Sequence, residues 1–153
     1  MTPNSARRAV LAALVAGIGL IHLLDLPGKW EETRWMGIAY LGLIASTVLV
    51  TELLVRGDAA VTYLMTAGLA VGPMIGFVLT RTTGLPGAQG DIGNWSEPLG
   101  LASLFTEAMV LVLSAAALAA HPRTDADHRH AAPARAGGST IPSQPSRTPS
   151  PVE

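Results

Sequence analysis

Four apolar stretches of about 20 residues dominate this chain, at about residues 8–26, 36–55, 59–80 and 99–120. The hydrocarbon core of a bilayer is about 30 Å thick, and a helix rising 1.5 Å per residue crosses it in roughly 20 residues. Each stretch is therefore predicted to be a membrane-spanning helix. The predicted fold class is all-α, an integral membrane four-helix bundle with antiparallel neighbours.

The polar ends divide the chain into three predicted parts. Residues 1–7 form a cytoplasmic N-terminus, and residues 8–120 form the membrane domain. Residues 121–153 are rich in Pro and Ser and hold little apolar surface to offset chain entropy, so they are predicted to be a disordered cytoplasmic tail. Even with this polar tail, 49% of the residues are hydrophobic and the mean hydropathy is +0.40, which is unusual for a soluble domain.

Composition excludes several classes of function. The net charge of −1 provides no basic surface for nucleic acid. Cysteine is absent, which excludes a disulfide framework and thiolate metal sites. An enzymatic function is the least favoured, because the chain also lacks a nucleophile motif.

Nearly all basic residues are arginine, a bias typical of GC-rich bacterial genomes, so a bacterial plasma membrane is predicted. The expected partners are the lipid bilayer and either other membrane subunits or further copies of the chain.

Basic residues predict the orientation of the bundle. Six arginines flank the spans on one side of the membrane: Arg7, Arg8, Arg56, Arg123, Arg129 and Arg135. Because basic residues accumulate on the cytoplasmic side, both termini are predicted to be cytoplasmic. The three tryptophans, Trp30, Trp35 and Trp95, fall on the opposite side. Tryptophan anchors helices in the headgroup region, which supports the same arrangement.

The third span carries Gly68, Gly72 and Gly76 at intervals of four residues. This spacing is typical of small-residue faces that let another helix backbone approach closely. Tight packing within the bundle is the favoured interpretation, with a dimer contact as the alternative. Pro73 is predicted to kink the same helix at mid-membrane, which also permits a hinge.

Ionisable groups inside the spans are costly and are functional candidates by default. Glu52 lies four residues before Arg56, so a pair within one helix accounts for it. His22 is predicted to lie one turn inside the outer end of the first helix, with Asp25 accepting its N–H. Glu107 is predicted two turns inside the outer end of the fourth helix, on a small and polar stripe with Ser103.

These groups converge on the outer side of a four-helix bundle. The predicted ligand-binding residues are His22, Asp25, Glu31, Glu32, Arg81, Glu97 and Glu107. Imidazole and carboxylate groups suit a divalent metal ion, for which His22, Glu32 and Glu107 are the candidate ligands. The alternative is a purely structural network, in which Arg81 pairs with Glu107 or Glu97 and the outer loops are held down.

Several short segments resemble those of a group of small bacterial membrane proteins. The segments are Ile21-His22-Leu23, Pro27, Glu31-Glu32, the stretch RTTGLPG at 81–87, and Glu97-Pro98-Leu99-Gly100. The group is mostly actinobacterial, has four helices and an RTTGLP-type outer loop, and has no assigned activity. The resemblance covers about residues 8–120. It implies the four-helix fold and the outer cluster, although the group's His before the Glu pair and Asp in the fourth helix are replaced here by Lys29 or Trp30 and by Ser103.

Two functional hypotheses follow. The first is a non-enzymatic membrane protein, either an accessory subunit or a binder of a cation or small polar ligand at the extracytoplasmic face. The second is a small oligomeric transporter or channel that uses Glu107 and a hinge at Pro73. The cofactor stays open, and a divalent metal ion is the candidate.

Overall fold

The computed structural model describes residues 3–57 and 59–121. It contains four α-helices: α1 (Pro3–Glu32), α2 (Arg34–Arg56), α3 (Ala60–Thr82) and α4 (Pro98–Ala120). A single 3₁₀ turn, Gln89–Asp91, lies in the connection before α4. All four helices are long and apolar enough to span a membrane, so the predicted all-α class is confirmed. Nearly all of the predicted tail falls outside the described residues.

The first helix is longer than its apolar stretch. It continues through Pro27 to Glu32 and measures about 45 Å at 1.5 Å per residue. It ends where the N–H of Thr33 bonds to the carbonyl of Lys29 at 3.0 Å. Only Thr33 therefore separates α1 from α2. His22 lies ten residues from the end of α1, about 15 Å, rather than one turn from it as predicted.

Helix packing leaves one open side. α1 packs along both α2 and α4, and α3 packs along α4. α2 and α3 make few contacts with each other, although residues 57–59 connect them directly. The helices thus follow the order α2, α1, α4, α3 around the bundle. The gap between α2 and α3 is called the seam below.

The apolar core occupies the half of the bundle near residues 57–59, which we call the turn end. Its buried side chains are Leu11, Ala12, Val15 and Ile18 of α1, Val50 and Leu54 of α2, Tyr63 and Ala70 of α3, and Val110 and Ala117 of α4. Arg8 closes this end, because its guanidinium donates to the carbonyls of Leu54 and Val55 at 2.8 and 2.6 Å. These carbonyls belong to the last turn of α2, where the helix offers them no N–H partner.

The glycines that allow close helix packing differ from those predicted. A Cβ added at Gly68, Gly72 or Gly76 meets no atom within 4 Å, so the predicted packing role within the bundle is wrong. α3 instead buries Tyr63, Thr66 and Ala70. The close approaches occur at Gly19, which faces Thr47 of α2, and at Gly100, which faces Phe77 of α3. Spacing alone could not show which face of α3 meets a neighbour.

Replacing Leu11 by alanine tests whether the turn-end core carries the stability of the bundle. Leu11 is fully buried, whereas Leu24 on the same helix is 62% exposed. Lipid is as apolar as the core, so Leu11→Ala changes the transfer free energy between core and lipid very little. Its cost comes from the packing contacts that are lost. We expect Leu11→Ala to lower the free energy of unfolding by about 2 kcal/mol in a detergent denaturation titration. The matched Leu24→Ala variant should change it by less than about 0.5 kcal/mol. Equal losses in the two variants would contradict the packing described above.

Candidate functional site

A cavity of about 400 Å³ occupies the other half of the bundle, near the connection of residues 83–97. We call this half the loop end, and residues 83–97 the outer loop. All four helices contribute side chains to the cavity wall. Its size lies in the range of small-molecule pockets. The cavity exists where the apolar core of the turn end stops.

Glu107 of α4 provides the most deeply buried charged group in the cavity wall. The residue is 1% exposed. The hydroxyl of Ser103, one turn earlier on α4, donates to its Oε1 at 2.6 Å. No residue in 3–57 or 59–121 forms an ion pair with Glu107. A carboxylate in this position therefore has one hydroxyl donor and no counter-charge from the described chain.

His22 also lines the cavity and is 6% exposed. Its Nδ1 donates to the carbonyl of Ile18 at 2.9 Å, and its ring meets the ring of Tyr40 edge-on at 4.9 Å between centroids. In the neutral imidazole this leaves Nε2 as an acceptor. The predicted bond from His22 to Asp25 is not formed. The Ile18 carbonyl lies one turn away on the same helix, and the hydroxyl of Tyr40 donates to Asp25 instead, at 3.0 Å.

A chain of ion pairs crosses the loop end of the cavity. Nζ of Lys29 lies 2.9 Å from Glu32 and 3.0 Å from Asp91. The guanidinium of Arg81 lies 3.1 Å from the same Asp91 oxygen and also pairs with Glu97. Lys29 and Arg81 are only 6% and 4% exposed. These residues therefore link α1, α3, the outer loop and the start of α4.

The outer loop is bonded to the helices beneath it. The hydroxyl of Thr33 donates to the carbonyl of Gly87 at 2.8 Å, and the indole N–H of Trp35 donates to that of Pro86 at 2.9 Å. Gly87 has φ +83° and its added Cβ would press on Thr33, so a glycine is needed at this contact. The guanidinium of Arg81 also donates to the carbonyl of Asn94 at 2.8 Å. The loop therefore runs over the end of the bundle.

The structure brings five of the seven predicted ligand-binding residues to one cavity. These are His22, Asp25, Arg81, Glu97 and Glu107. Glu31 is exposed at the end of α1, and Glu32 lies on the solvent side of Lys29 with 54% of its side chain exposed. Neither belongs to the cavity wall.

The three candidate metal ligands do not come together. Among residues 3–57 and 59–121, no group of three or more His, Asp or Glu side chains is arranged to hold a metal ion. Glu32 lies near the aqueous surface, whereas His22 and Glu107 lie deep in the bundle. The structure therefore provides no support for the set of His22, Glu32 and Glu107.

The pairing alternatives are partly resolved. Arg81 pairs with Glu97 and not with Glu107. The predicted pair of Glu52 and Arg56 is confirmed at 2.6 Å. Lys29, Tyr40 and Asp91 line the cavity but were not among the predicted site residues. Lys29 pairs with Asp91, which is 62 residues away, and Tyr40 bonds to Asp25, which is 15 residues away. No local spacing in the sequence indicates such pairs.

No protein-family model, no curated protein and no solved structure matches this chain. The resemblance to small four-helix bacterial proteins therefore stays a prediction. The cavity itself is the basis for an inference about function.

Removing Arg81 should destabilise the loop end much more than removing an exposed arginine. Arg81→Ala removes a buried guanidinium, leaves the partly buried carboxylate of Glu97 without its partner and leaves Asp91 with Lys29 alone, so we expect a loss of about 2 kcal/mol or more. Arg56→Ala breaks a pair whose side chains are 74% and 53% exposed, and we expect a loss below about 1 kcal/mol. Detergent denaturation of both variants measures the difference. A loss for Arg81→Ala no greater than that for Arg56→Ala would show that the network does not hold the loop.

Proposed function

We propose that this small membrane protein is a non-enzymatic binder of a positively charged small ligand in the loop-end cavity. The observation that carries the proposal is the carboxylate of Glu107, buried in the cavity wall with a single hydroxyl donor and no ion pair from the described residues. A charge removed from water is costly unless it is paired or hydrogen-bonded. A cationic ligand supplies the missing partner.

The charges of the cavity wall favour a cation over an anion. Asp25, Asp91, Glu97 and Glu107 contribute carboxylates, and only Lys29 and Arg81 contribute positive charge. Both bases are already engaged with acids of the network at the loop end. The cavity therefore keeps an excess of negative charge in its interior, whereas an anion would meet bases that already have partners.

The remaining groups suit an organic cation. Trp35 and Tyr40 line the cavity, and aromatic rings attract cations through the ring quadrupole. In its neutral form, His22 presents an acceptor at Nε2, because its Nδ1–H bonds to the backbone. A primary ammonium has three N–H donors, which match a carboxylate and an imidazole nitrogen. The class that fits is thus a small ammonium compound rather than a metal ion.

Binding of ethylammonium and octylammonium tests the role of Glu107. Nanodiscs that contain the protein are dialysed against protein-free nanodiscs. The excess of probe on the protein side measures binding, because the probe dissolved in lipid is the same on both sides. We expect Glu107→Gln to weaken binding about ten- to hundredfold, since a hydrogen bond to a charged group contributes about 1.5–3 kcal/mol. Glu52→Gln is the matched control, because Glu52 lies on α2, outside the cavity wall, and should leave binding unchanged. Octanol has the same chain as octylammonium without the charge and should not show the Glu107 dependence. If Glu107→Gln bound both ammonium probes as well as the unmodified protein, the proposal would be wrong.

A transporter or channel for the same cation is the second candidate. Pro73 lies in the cavity wall within α3 and removes one backbone hydrogen bond at that level. A helix that bends at this point would change the shape of the cavity. A flux assay with the protein reconstituted in liposomes distinguishes the two functions. Only a transporter carries ethylammonium across the membrane in a Glu107-dependent way.

We also propose that the protein lies in a bacterial plasma membrane with both termini in the cytoplasm. Support comes from Arg7, Arg8 and Arg56, which lie at the turn end, while Trp30, Trp35 and Trp95 lie at the loop end. The loop end carries as many basic residues, Lys29, Arg34 and Arg81, so the excess comes from Arg123, Arg129 and Arg135, which follow α4 in the sequence. An excess of basic residues is usual on the cytoplasmic side.

Single cysteines test this orientation, because the natural chain has none. Gly57 and Gly90 both have open space around an added Cβ and no positive φ, so cysteine fits at either position. We expect a membrane-impermeant maleimide to label Gly90→Cys in intact cells, since the outer loop faces outward. Gly57→Cys should react only after the membrane is permeabilised. The reverse pattern would place the termini outside.

A further inference from the structure

We propose that the ligand is an amphiphile dissolved in the bilayer, with an ammonium head and an apolar chain, and that it enters sideways through the seam between α2 and α3. This rests on the proposed function, because it takes Glu107 as the partner of the head.

The aqueous end of the cavity is closed. The outer loop covers it and is bonded to Thr33 and Trp35 at the junction of α1 and α2. Beneath the loop, the ion pairs of Lys29, Asp91 and Arg81 cross the end of the cavity. A ligand arriving from water would have to separate ion pairs whose basic members are buried, which is costly.

The sides formed by α1 and α4 are also closed. His22 of α1 and Ser103 and Glu107 of α4 line the cavity and are buried. α1 and α4 pack against each other and each packs against one further helix. No route through this side is visible in residues 3–57 and 59–121.

The seam is open by contrast. Ala39 of α2 and Gly72 of α3 line the cavity and are exposed at the bundle surface at the same time. Gly76, one turn further along α3, also lines the cavity, and a Cβ added at either glycine meets no atom within 4 Å. Residues without long side chains therefore form the edge of the opening. This is the side on which α2 and α3 make few contacts.

The seam lies at the depth of the hydrocarbon. Gly72 and Gly76 are ten and six residues before the end of α3, or about 15 and 9 Å along the axis. Glu107 is nine residues after the start of α4, about 13 Å, and so lies at a similar depth. An ammonium head at Glu107 thus places its chain level with the opening. Leu43, Pro73 and Phe77 are apolar members of the same cavity wall.

The depth and the closed aqueous end together favour a chain-bearing ligand over a water-soluble one. A short cation gains nothing from an opening that faces lipid. An amphiphile is already concentrated in the bilayer, and its chain stays in apolar surroundings whether it lies in lipid or in the seam. Only its head exchanges surroundings, from the interface to a carboxylate.

Leucine substitutions at the edge of the seam test whether the chain of the bound ligand lies in the seam. Gly72→Leu and Gly76→Leu place a branched side chain in the opening, and Gly68→Leu places the same side chain on the same face of α3 outside the cavity wall. In the nanodisc dialysis, we expect the two seam variants to bind octylammonium at least tenfold more weakly than the unmodified protein. Gly68→Leu should bind it normally. Ethylammonium binding should change less than twofold in all three variants, because this probe has no chain to place in the seam.

The outcomes separate the inference from the proposed function. If Gly72→Leu and Gly76→Leu bound octylammonium as tightly as Gly68→Leu does, or weakened ethylammonium binding as much as octylammonium binding, the placement of the chain in the seam, and with it the lateral route, would be refuted while the role of Glu107 stood. If Glu107→Gln left both probes bound, the proposed function itself would be refuted. Thermal unfolding of each variant shows whether it is folded. Gly72→Ala and Gly76→Ala add only one methyl group in open space and serve as milder versions of the same change.

Discussion

The guanidinium of Arg81, buried at the loop end, joins the groups that close the cavity. It pairs with Asp91 and Glu97, donates to the carbonyl of Asn94, and lies over the ring of Phe77 at 4.6 Å. These contacts connect the last turn of α3 with the outer loop and the start of α4. Since Lys29 shares Asp91 with Arg81, α1 is included as well. One buried cation thereby links three helices and the loop over their ends.

This use of Arg81 has a consequence for Glu107. Both bases in the cavity wall are engaged near the aqueous end, so none remains for the carboxylate deeper in the bundle. The turn end shows the opposite design, because its interior is filled by apolar side chains such as Leu11, Val15 and Val110. The bundle thus combines a packed half, which holds the helices together, with a half that is spacious and charged. The site depends on this division.

Sequence reasoning succeeded where the interaction is local. The pair of Glu52 and Arg56 is confirmed because residues four apart on a helix are neighbours whatever surrounds them. The link of His22 to Asp25 was wrong, because Tyr40 arrives from another helix and takes the carboxylate. The glycine stripe of α3 was assigned to packing, yet α3 turns a different face to α4. Spacing shows that residues share a face and leaves open what that face meets.

The pattern of apolar stretches was sufficient to predict the fold class, because a helix in lipid satisfies its own backbone hydrogen bonds and needs only sufficient apolar length to cross the bilayer. The sequence also indicated which ionisable residues required an explanation, and five of the seven predicted residues lie around one cavity. Tertiary structure decided which acids receive a basic partner, and it decided that α2 and α3 stay apart at the seam. Those outcomes depend on how side chains from distant parts of the chain pack together, and lipid favours no particular helix pairing through apolar burial.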